Sequence, residues 1–197
     1  MMRTLAVLFA VTLAACGSAS SAGPKTSNPP LKPDPATQPA PPAEDEDVAV
    51  DGFNLKVKKL GFQITLTTAP WEGKTDRENG GFRIVLSRPD LGGMLLLIPV
   101  REENGTAQAM AEALRTKASQ QPDLTSVTPV AAEGKGRYAF TGDRVLDGKP
   151  MRSYLGIHPH PTLPGAFIFA IAHVPADKAD AFLKDVRTSL DTIAPLQ

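Results

Sequence analysis

Residues 137–157 have the sequence RYAFTGDRVLDGKPMRSYLGI, and this stretch decides the fold class. Asp147-Gly148 divides it into two apolar-rich runs, and an Asp-Gly pair between such runs is a strong signal for a two-residue β-hairpin turn. We therefore predict two antiparallel strands here, at 137–146 and 151–157. A long hairpin of this kind favours an antiparallel sheet over the parallel sheet of an alternating α/β fold.

The flanking sequence adds further strands to this hairpin. Apolar and polar residues alternate along 53–57 and 62–66, which predicts strands with one face in a core, and Lys59-Leu60-Gly61 between them fits a tight connection. Residues 94–98 are apolar on both faces, which predicts a central strand covered above and below. The remaining predicted strands are 82–86, 125–131 and 166–174, and residues 73–81 are predicted to form a loop.

Two helices complete the prediction. Residues 107–118 repeat apolar side chains at three- and four-residue steps, with Asn104 or Thr106 as the N-cap. A second helix is predicted from Asp177, its candidate N-cap, to Thr192. Its buried stripe is expected to contain Ala179, Phe182, Leu183, Val186, Leu190 and Ile193. The predicted class is α+β, a mainly antiparallel sheet covered by two helices.

A strand with the motif Gly61-Phe62-Gln63-Ile64, followed by Pro70-Trp71, resembles the Mog1/PsbP-like α/β/α fold. The resemblance covers about residues 53–193 and rests on these short motifs and on the order of the elements. It implies an accessory or docking factor and not an enzyme, and it transfers no active-site residue. Trp71, the one matching signature residue, is expected to pack over the edge of the sheet.

The N-terminus resembles a bacterial lipoprotein signal peptide. Arg3 precedes a short apolar run, which ends in Leu13-Ala14-Ala15-Cys16 and is too short to span a bilayer. The resemblance implies cleavage between Ala15 and Cys16, a thioether-linked lipid on Cys16 and an acyl chain such as palmitate on its amino group. The alternative is an ordinary secretory signal with a cysteine at the cleavage site. Gly17 in place of aspartate implies the outer membrane of a two-membrane bacterium.

Three regions follow from these observations. Residues 1–15 are the predicted signal peptide, and residues 16–48 are the lipidated cysteine with a tether rich in proline, alanine and serine. This tether contains too few large apolar side chains to offset its ordering entropy, so it is predicted to be disordered. Residues 49–197 are predicted to form one domain, which has no disulfide because the chain has a single cysteine.

The candidates for chemistry are few. His158 and His160, with His173 as a third ligand, form the best metal candidate. Prolines beside the first two favour the alternative, two surface histidines on an exposed, rigid loop. The sequence contains no H-E-x-x-H or G-x-S-x-G motif. We therefore predict no catalytic residue, metal ligand or cofactor.

Three functional classes remain, and the first is favoured. It is a membrane-anchored envelope lipoprotein whose non-enzymatic domain docks a protein partner, through an exposed apolar patch. The second is a lipoprotein that binds a small ligand or a metal in a pocket between sheet and helix. The third is a hydrolase whose site is hidden in the sequence. With 21 basic and 21 acidic side chains, nothing signals a nucleic-acid partner.

Overall fold

The computed structural model describes residues 48–51, 53–67, 70–76 and 82–197. The predicted cleavage at Ala15, the lipidation of Cys16 and the tether up to residue 47 lie outside these residues and stay predictions. In chain order, the described strands are β1 (Val48–Asp51), β2 (Asn54–Val57), β3 (Phe62–Thr65), β4 (Glu72–Asp76), β5 (Arg83–Arg88), β6 (Gly93–Arg101), β7 (Leu124–Thr125), β8 (Ala131–Ala132), β9 (Tyr138–Leu146), β10 (Lys149–Pro159), β11 (Ala166–Pro175) and β12 (Ala194–Pro195). The helices are α1 (Ala107–Ala118) and α2 (Ala179–Leu190).

The strands form two antiparallel sheets. The main sheet has the order β4-β5-β6-β11-β10-β9-β7, with β8 also paired to β9, and the small sheet has the order β1-β2-β3-β12. The predicted β9–β10 hairpin is confirmed: Leu146 pairs with Lys149, and Asp147 and Gly148 have φ angles of 51° and 74°. Two successive residues with positive φ are what a type I′ turn requires, which is why Asp-Gly occurs here.

The main sheet is covered on both faces. On the face that we call the α2 face, Leu97, Ala170 and Tyr154 lie in one core cluster with Phe182 of α2 and Phe62 of the small sheet. On the opposite face, called the α1 face, Ala107 and Ala111 of α1 pack against the side chains Ile157, Phe167 and Phe169. The α+β class with two covering helices is therefore confirmed.

Three local predictions were wrong. Residues 72–76 form strand β4 at the edge of the main sheet and not a loop, since an exposed edge strand needs no apolar alternation. The strand predicted at 125–131 is reduced to two-residue pairings at its ends, β7 and β8, because Ser126 adopts a φ of 52° that breaks the extended backbone. Met94 is 37% exposed, so the central strand β6 is covered completely on one face only.

Of the two predicted helix caps, the one on α1 is confirmed and the one on α2 was wrong. Thr106 caps α1 as predicted, because its side-chain oxygen accepts a hydrogen bond from the Ala109 N–H at 3.2 Å. Asp177 does not cap α2. It lies in a 3-10 turn at Ala176–Lys178, and α2 begins at Ala179 without a side-chain cap. The apolar stripe of α2 is buried as predicted, from Ala179 to Leu190.

Candidate functional site

His158 and His160 are buried, with 4% and 8% of their surfaces exposed, and the prediction of an exposed loop was wrong. The chain after β10 folds back instead, because the His160 N–H donates to the Ala166 carbonyl at 2.9 Å. The His160 Nδ1 accepts the Leu163 N–H at 3.1 Å, and its ring meets Phe62 edge-on at 5.6 Å. His160 therefore has a structural role that closes the loop.

His158 and His173 lie on opposite faces of the main sheet. His158 pairs with Ile168 on the α2 face, whereas His173 pairs with Ser153 on the α1 face. The sheet separates the two imidazoles, so the three histidines cannot surround one metal ion. In the described part of the chain, no group of three histidine, cysteine, aspartate or glutamate side chains is placed to hold a metal.

Ser153 and His173 form the one described contact that resembles a catalytic pair. The Ser153 Oγ lies 2.9 Å from the His173 Nδ1, and burial lowers the pKa of His173 to about 4, with the charge of Arg144 as a second cause. Ser153 is only 1% exposed. A nucleophile must reach its substrate, and a triad needs a carboxylate on the far side of the histidine. The charge that contributes to the lowered pKa of His173 belongs to the Arg144 guanidinium, which is paired with Asp123, and not to a carboxylate. The pair therefore does not make a hydrolase site.

A partly buried ionic network lies beside the C-terminal half of α2, with Glu133 and Arg137 inside and Arg187 and Asp191 at the surface. Glu133 accepts the Tyr154 hydroxyl at 2.7 Å and the Arg187 Nε at 2.8 Å, and its carboxylate lies 3.0 Å from the Arg137 Nε. Arg137 is only 2% exposed and also bonds to Asp191 at 3.0 Å. Burial and the Glu133 charge raise the pKa of Tyr154, so its hydroxyl stays protonated and donates.

Glycine makes room for this network. A Cβ atom on Gly156 would lie 2.7 Å from the Tyr154 hydroxyl oxygen, so only glycine lets the tyrosine ring extend over its own strand toward Glu133. No local pattern predicts the network, because Glu133 and Arg137 lie in a segment with two glycines and one lysine, which is typical of a solvated turn. The bulky Tyr154 two residues before a glycine was the only signal available.

A cleft of about 370 Å³ lies between α2 and the neighbouring strands β9 and β10. The residues that line it are Thr141, Arg152, Asp180, Leu183, Lys184, Arg187, Thr188 and Asp191. Two of them, Arg187 and Asp191, are the surface members of the ionic network: Arg187 contacts Glu133 directly, and Asp191 does so through Arg137. The lining is mainly charged and hydroxylic, so the cleft suits a polar ligand and not an apolar one.

One part of the α1 face carries apolar side chains that no described helix covers. We call it the apolar sheet patch, and it contains Val85, Met94, Leu96, Met151 and Ile171. Met94 is exposed, Val85, Leu96 and Met151 are half-buried, and Ile171 is buried at the base of the patch. Val85, Leu96 and Ile171 stand side by side on β5, β6 and β11, and Met94 lies beside His173. None of the five belongs to the core clusters that α1 and α2 seal.

Trp71 contributes to packing, as expected. Its ring lies 5.8 Å from Phe182 of α2, and its Nε1 donates to the Thr67 hydroxyl at 3.2 Å. The Arg88 guanidinium sits 5.5 Å from the same ring and is held by Asp90 and Asp185. Within the described ranges, no helix has the length and apolar character needed to cross a membrane.

The chain matches no protein-family model and no curated protein. Among solved structures, it is similar to LpqN from Mycobacterium tuberculosis, described as involved in cell envelope biogenesis. The TM-score is 0.50 at 12% identity, over 69% of this chain and 84% of LpqN. It also matches the cyanobacterial PsbP of Synechocystis sp. PCC 6803, with a TM-score of 0.49 at 13% identity, over 81% of this chain and 98% of PsbP. At 12% identity, the similarity to LpqN is one of fold.

Proposed function

We propose that this chain is a lipid-anchored protein of the bacterial cell envelope whose α+β domain docks a protein partner. The lipobox at Cys16 supports the anchor, and Gly17 supports the outer membrane as its address. The description of LpqN, a fold neighbour, as involved in cell envelope biogenesis agrees with this location. The observation that carries the docking function is the apolar sheet patch.

The neighbouring half of the same face indicates the partner's chemistry. There, α1 places the small side chains Ala107, Ala111 and Ala118 over strands β9 to β11 and buries Phe169 and Ile157. The apolar sheet patch lies beside α1 on the same face. Met151 and Ile171 lie farther along β10 and β11, and Leu96 and Val85 lie on the neighbouring strands β6 and β5. We propose that a helix of another protein, with a similar ridge of small apolar residues, lies on the patch. Met94 and Met151 suit this role because methionine adapts its shape to a partner.

The domain is proposed to be non-enzymatic and to act without a cofactor or nucleic acid. The buried Ser153 supports the first point, and the balanced charge of the chain supports the last. The alternative metal-binding function would have to use His158 and His160 without His173, since His173 lies on the opposite side of the main sheet. The membrane is proposed to be contacted through the lipid on Cys16.

Site-specific photo-crosslinking in the native host tests the docking function. A photoreactive amino acid replaces Met94 in the full-length protein. In the control protein it replaces Val145 instead, which is 64% exposed and lies on the opposite α2 face. We expect one recurrent protein partner at position 94 and none at position 145. The same partner should be lost when Leu96→Glu is added, but kept when Val145→Glu is added.

Three outcomes would contradict the proposal. Equal crosslinking at both positions would indicate a non-specific surface. Crosslinks from position 94 to lipid, or to a second copy of this chain, would replace the protein partner with another occupant. A partner that is unaffected by Leu96→Glu would show that it binds elsewhere. Circular dichroism of the purified variant checks that Leu96→Glu leaves the domain folded.

A further inference from the structure

The cleft beside α2 has cationic side chains at its centre and carboxylates at its ends. Asp180, Lys184, Arg187 and Asp191 follow one another at steps of four, three and four, so they form a stripe along one face of the helix. Arg152 and Thr141 form the opposite wall, on β10 and β9. A ligand between the walls therefore meets Lys184 and Arg187 from one side and Arg152 from the other.

The two arginines are fixed in place with donors to spare. The Arg187 Nε donates to Glu133, and the Arg152 Nε donates to Asp143, whereas the terminal amino groups of both make no hydrogen bond to another described residue. A guanidinium has five N–H donors, so each can still bind an oxyanion. Fixing them beforehand reduces the entropy that a ligand must offset on binding.

The charge balance of the cleft favours one negative ligand. Its lining residues and the side chains bonded to them carry five positive charges and four negative ones. The positive groups are Lys135, Arg137, Arg152, Lys184 and Arg187, and the negative groups are Glu133, Asp143, Asp180 and Asp191. After the three arginine–carboxylate pairs, Lys135, Lys184 and Asp180 form no ion pair in the described part of the chain, which leaves one net positive charge. Lys184 is exposed and lines the cleft, so its ammonium group can reach a ligand.

We propose that this cleft binds the phosphoryl group of a phosphate-bearing ligand between Lys184, Arg187 and Arg152. Donors on two facing walls fit a tetrahedral oxyanion, whose oxygens point in several directions, better than they fit a planar carboxylate. The Thr188 hydroxyl donates to the Lys184 carbonyl, so its free lone pairs can accept a ligand hydroxyl. The phosphoryl group can come from a soluble phosphate ester or from a phospholipid headgroup.

Titration of the full-length protein in detergent tests the site, with glycerol phosphate as the soluble probe and amide NMR shifts as the readout. We expect saturable shifts at Thr141, Arg152 and Thr188. Lys184→Gln should raise the dissociation constant about tenfold, because binding loses one charge-assisted hydrogen bond. The matched control is Lys178→Gln, an exposed lysine just before α2 that does not line the cleft, and it should leave the constant unchanged.

Vesicles distinguish the two sources of phosphate. Co-sedimentation of the Cys16→Ser protein is measured with phosphatidylglycerol vesicles and with phosphatidylcholine vesicles, before and after Lys184→Gln. Lysine-dependent binding to phosphatidylglycerol alone assigns the site to a lipid headgroup, and binding of glycerol phosphate alone assigns it to a soluble ester. The proposal is overturned if neither probe binds saturably, or if Lys178→Gln weakens binding as much as Lys184→Gln does.

Discussion

The three histidines of this chain are all placed where a positive charge is costly. Burial lowers the pKa of His158 and of His160, and it lowers the pKa of His173 to about 4. In mild acid each imidazole is therefore less protonated in the folded protein than in the unfolded chain. The histidines act as structural residues, and their protonation opposes folding.

This burial predicts a loss of stability in mild acid. Between about pH 6.5 and pH 4 the unfolded chain binds more protons than the folded domain, so the free energy of unfolding falls as the pH falls. Each histidine contributes at most about 1.4 kcal/mol per pH unit. Urea unfolding at pH 7.5, 6.0 and 5.0 measures this slope, which we expect His173→Gln to reduce.

Ser153→Ala is the matched control for this measurement. It removes the same 2.9 Å contact to the His173 Nδ1 but keeps the imidazole, so stability should drop at every pH while the slope stays unchanged. Equal slopes in the wild type and in His173→Gln would contradict the prediction. Below about pH 5 the paired carboxylates, such as Asp123 with its lowered pKa, begin to contribute, so that range is avoided.

At the level of single elements, the β9–β10 hairpin depends on the backbone of its two turn residues. Gly148 has a φ of 74°, and a Cβ atom there would meet no other atom within 4 Å. Gly148→Ala therefore introduces backbone strain without a steric clash, and it should cost about 1 kcal/mol of unfolding free energy. Asp147→Asn should cost almost nothing, because asparagine tolerates a positive φ. Urea midpoints compare the two, and equal costs would contradict the type I′ assignment.

The same hairpin shows which elements a sequence reveals. Turn chemistry and a clear apolar period, as in the hairpin and in α2, predicted elements correctly, because local geometry and burial both act on those residues. Strand β4 has no apolar period, since it is an exposed edge held only by pairing with β5. The burial of His158 and His160 was not predicted for a related reason: the fold of a proline-rich loop depends on distant partners such as Phe62.

At the level of the whole molecule, the candidate sites arise from contacts between distant segments. The apolar sheet patch exists because β6 pairs with β11, which places Leu96 beside Ile171. The cleft exists because α2 returns across β10, which places Arg187 near Arg152 and Thr141. No local pattern encodes these neighbours. The sequence could indicate that a pocket forms between a sheet and a helix, but it could not predict which residues line that pocket.

The last prediction concerns how the domain is attached. One acyl chain binds a membrane only marginally, at about 0.8 kcal/mol per buried methylene, whereas the two or three chains implied at Cys16 make attachment effectively permanent. Cys16→Ser should therefore move the protein from the detergent phase to the aqueous phase in a detergent partition assay. Ser18→Ala, which leaves the lipobox intact, is the control and should stay in the detergent phase. Membrane association of Cys16→Ser equal to that of Ser18→Ala would contradict the lipid anchor.

Gly17→Asp extends this test to the membrane that receives the protein. By the sorting rule of the lipoprotein family, aspartate after the lipidated cysteine retains a protein in the inner membrane. In a two-membrane host, a sucrose gradient should thus show the wild type with the outer membrane and Gly17→Asp with the inner one. If both band together, Gly17 does not set the address. The domain would then meet its partner at whichever membrane holds the wild type, and crosslinking from Met94 should be repeated on that fraction.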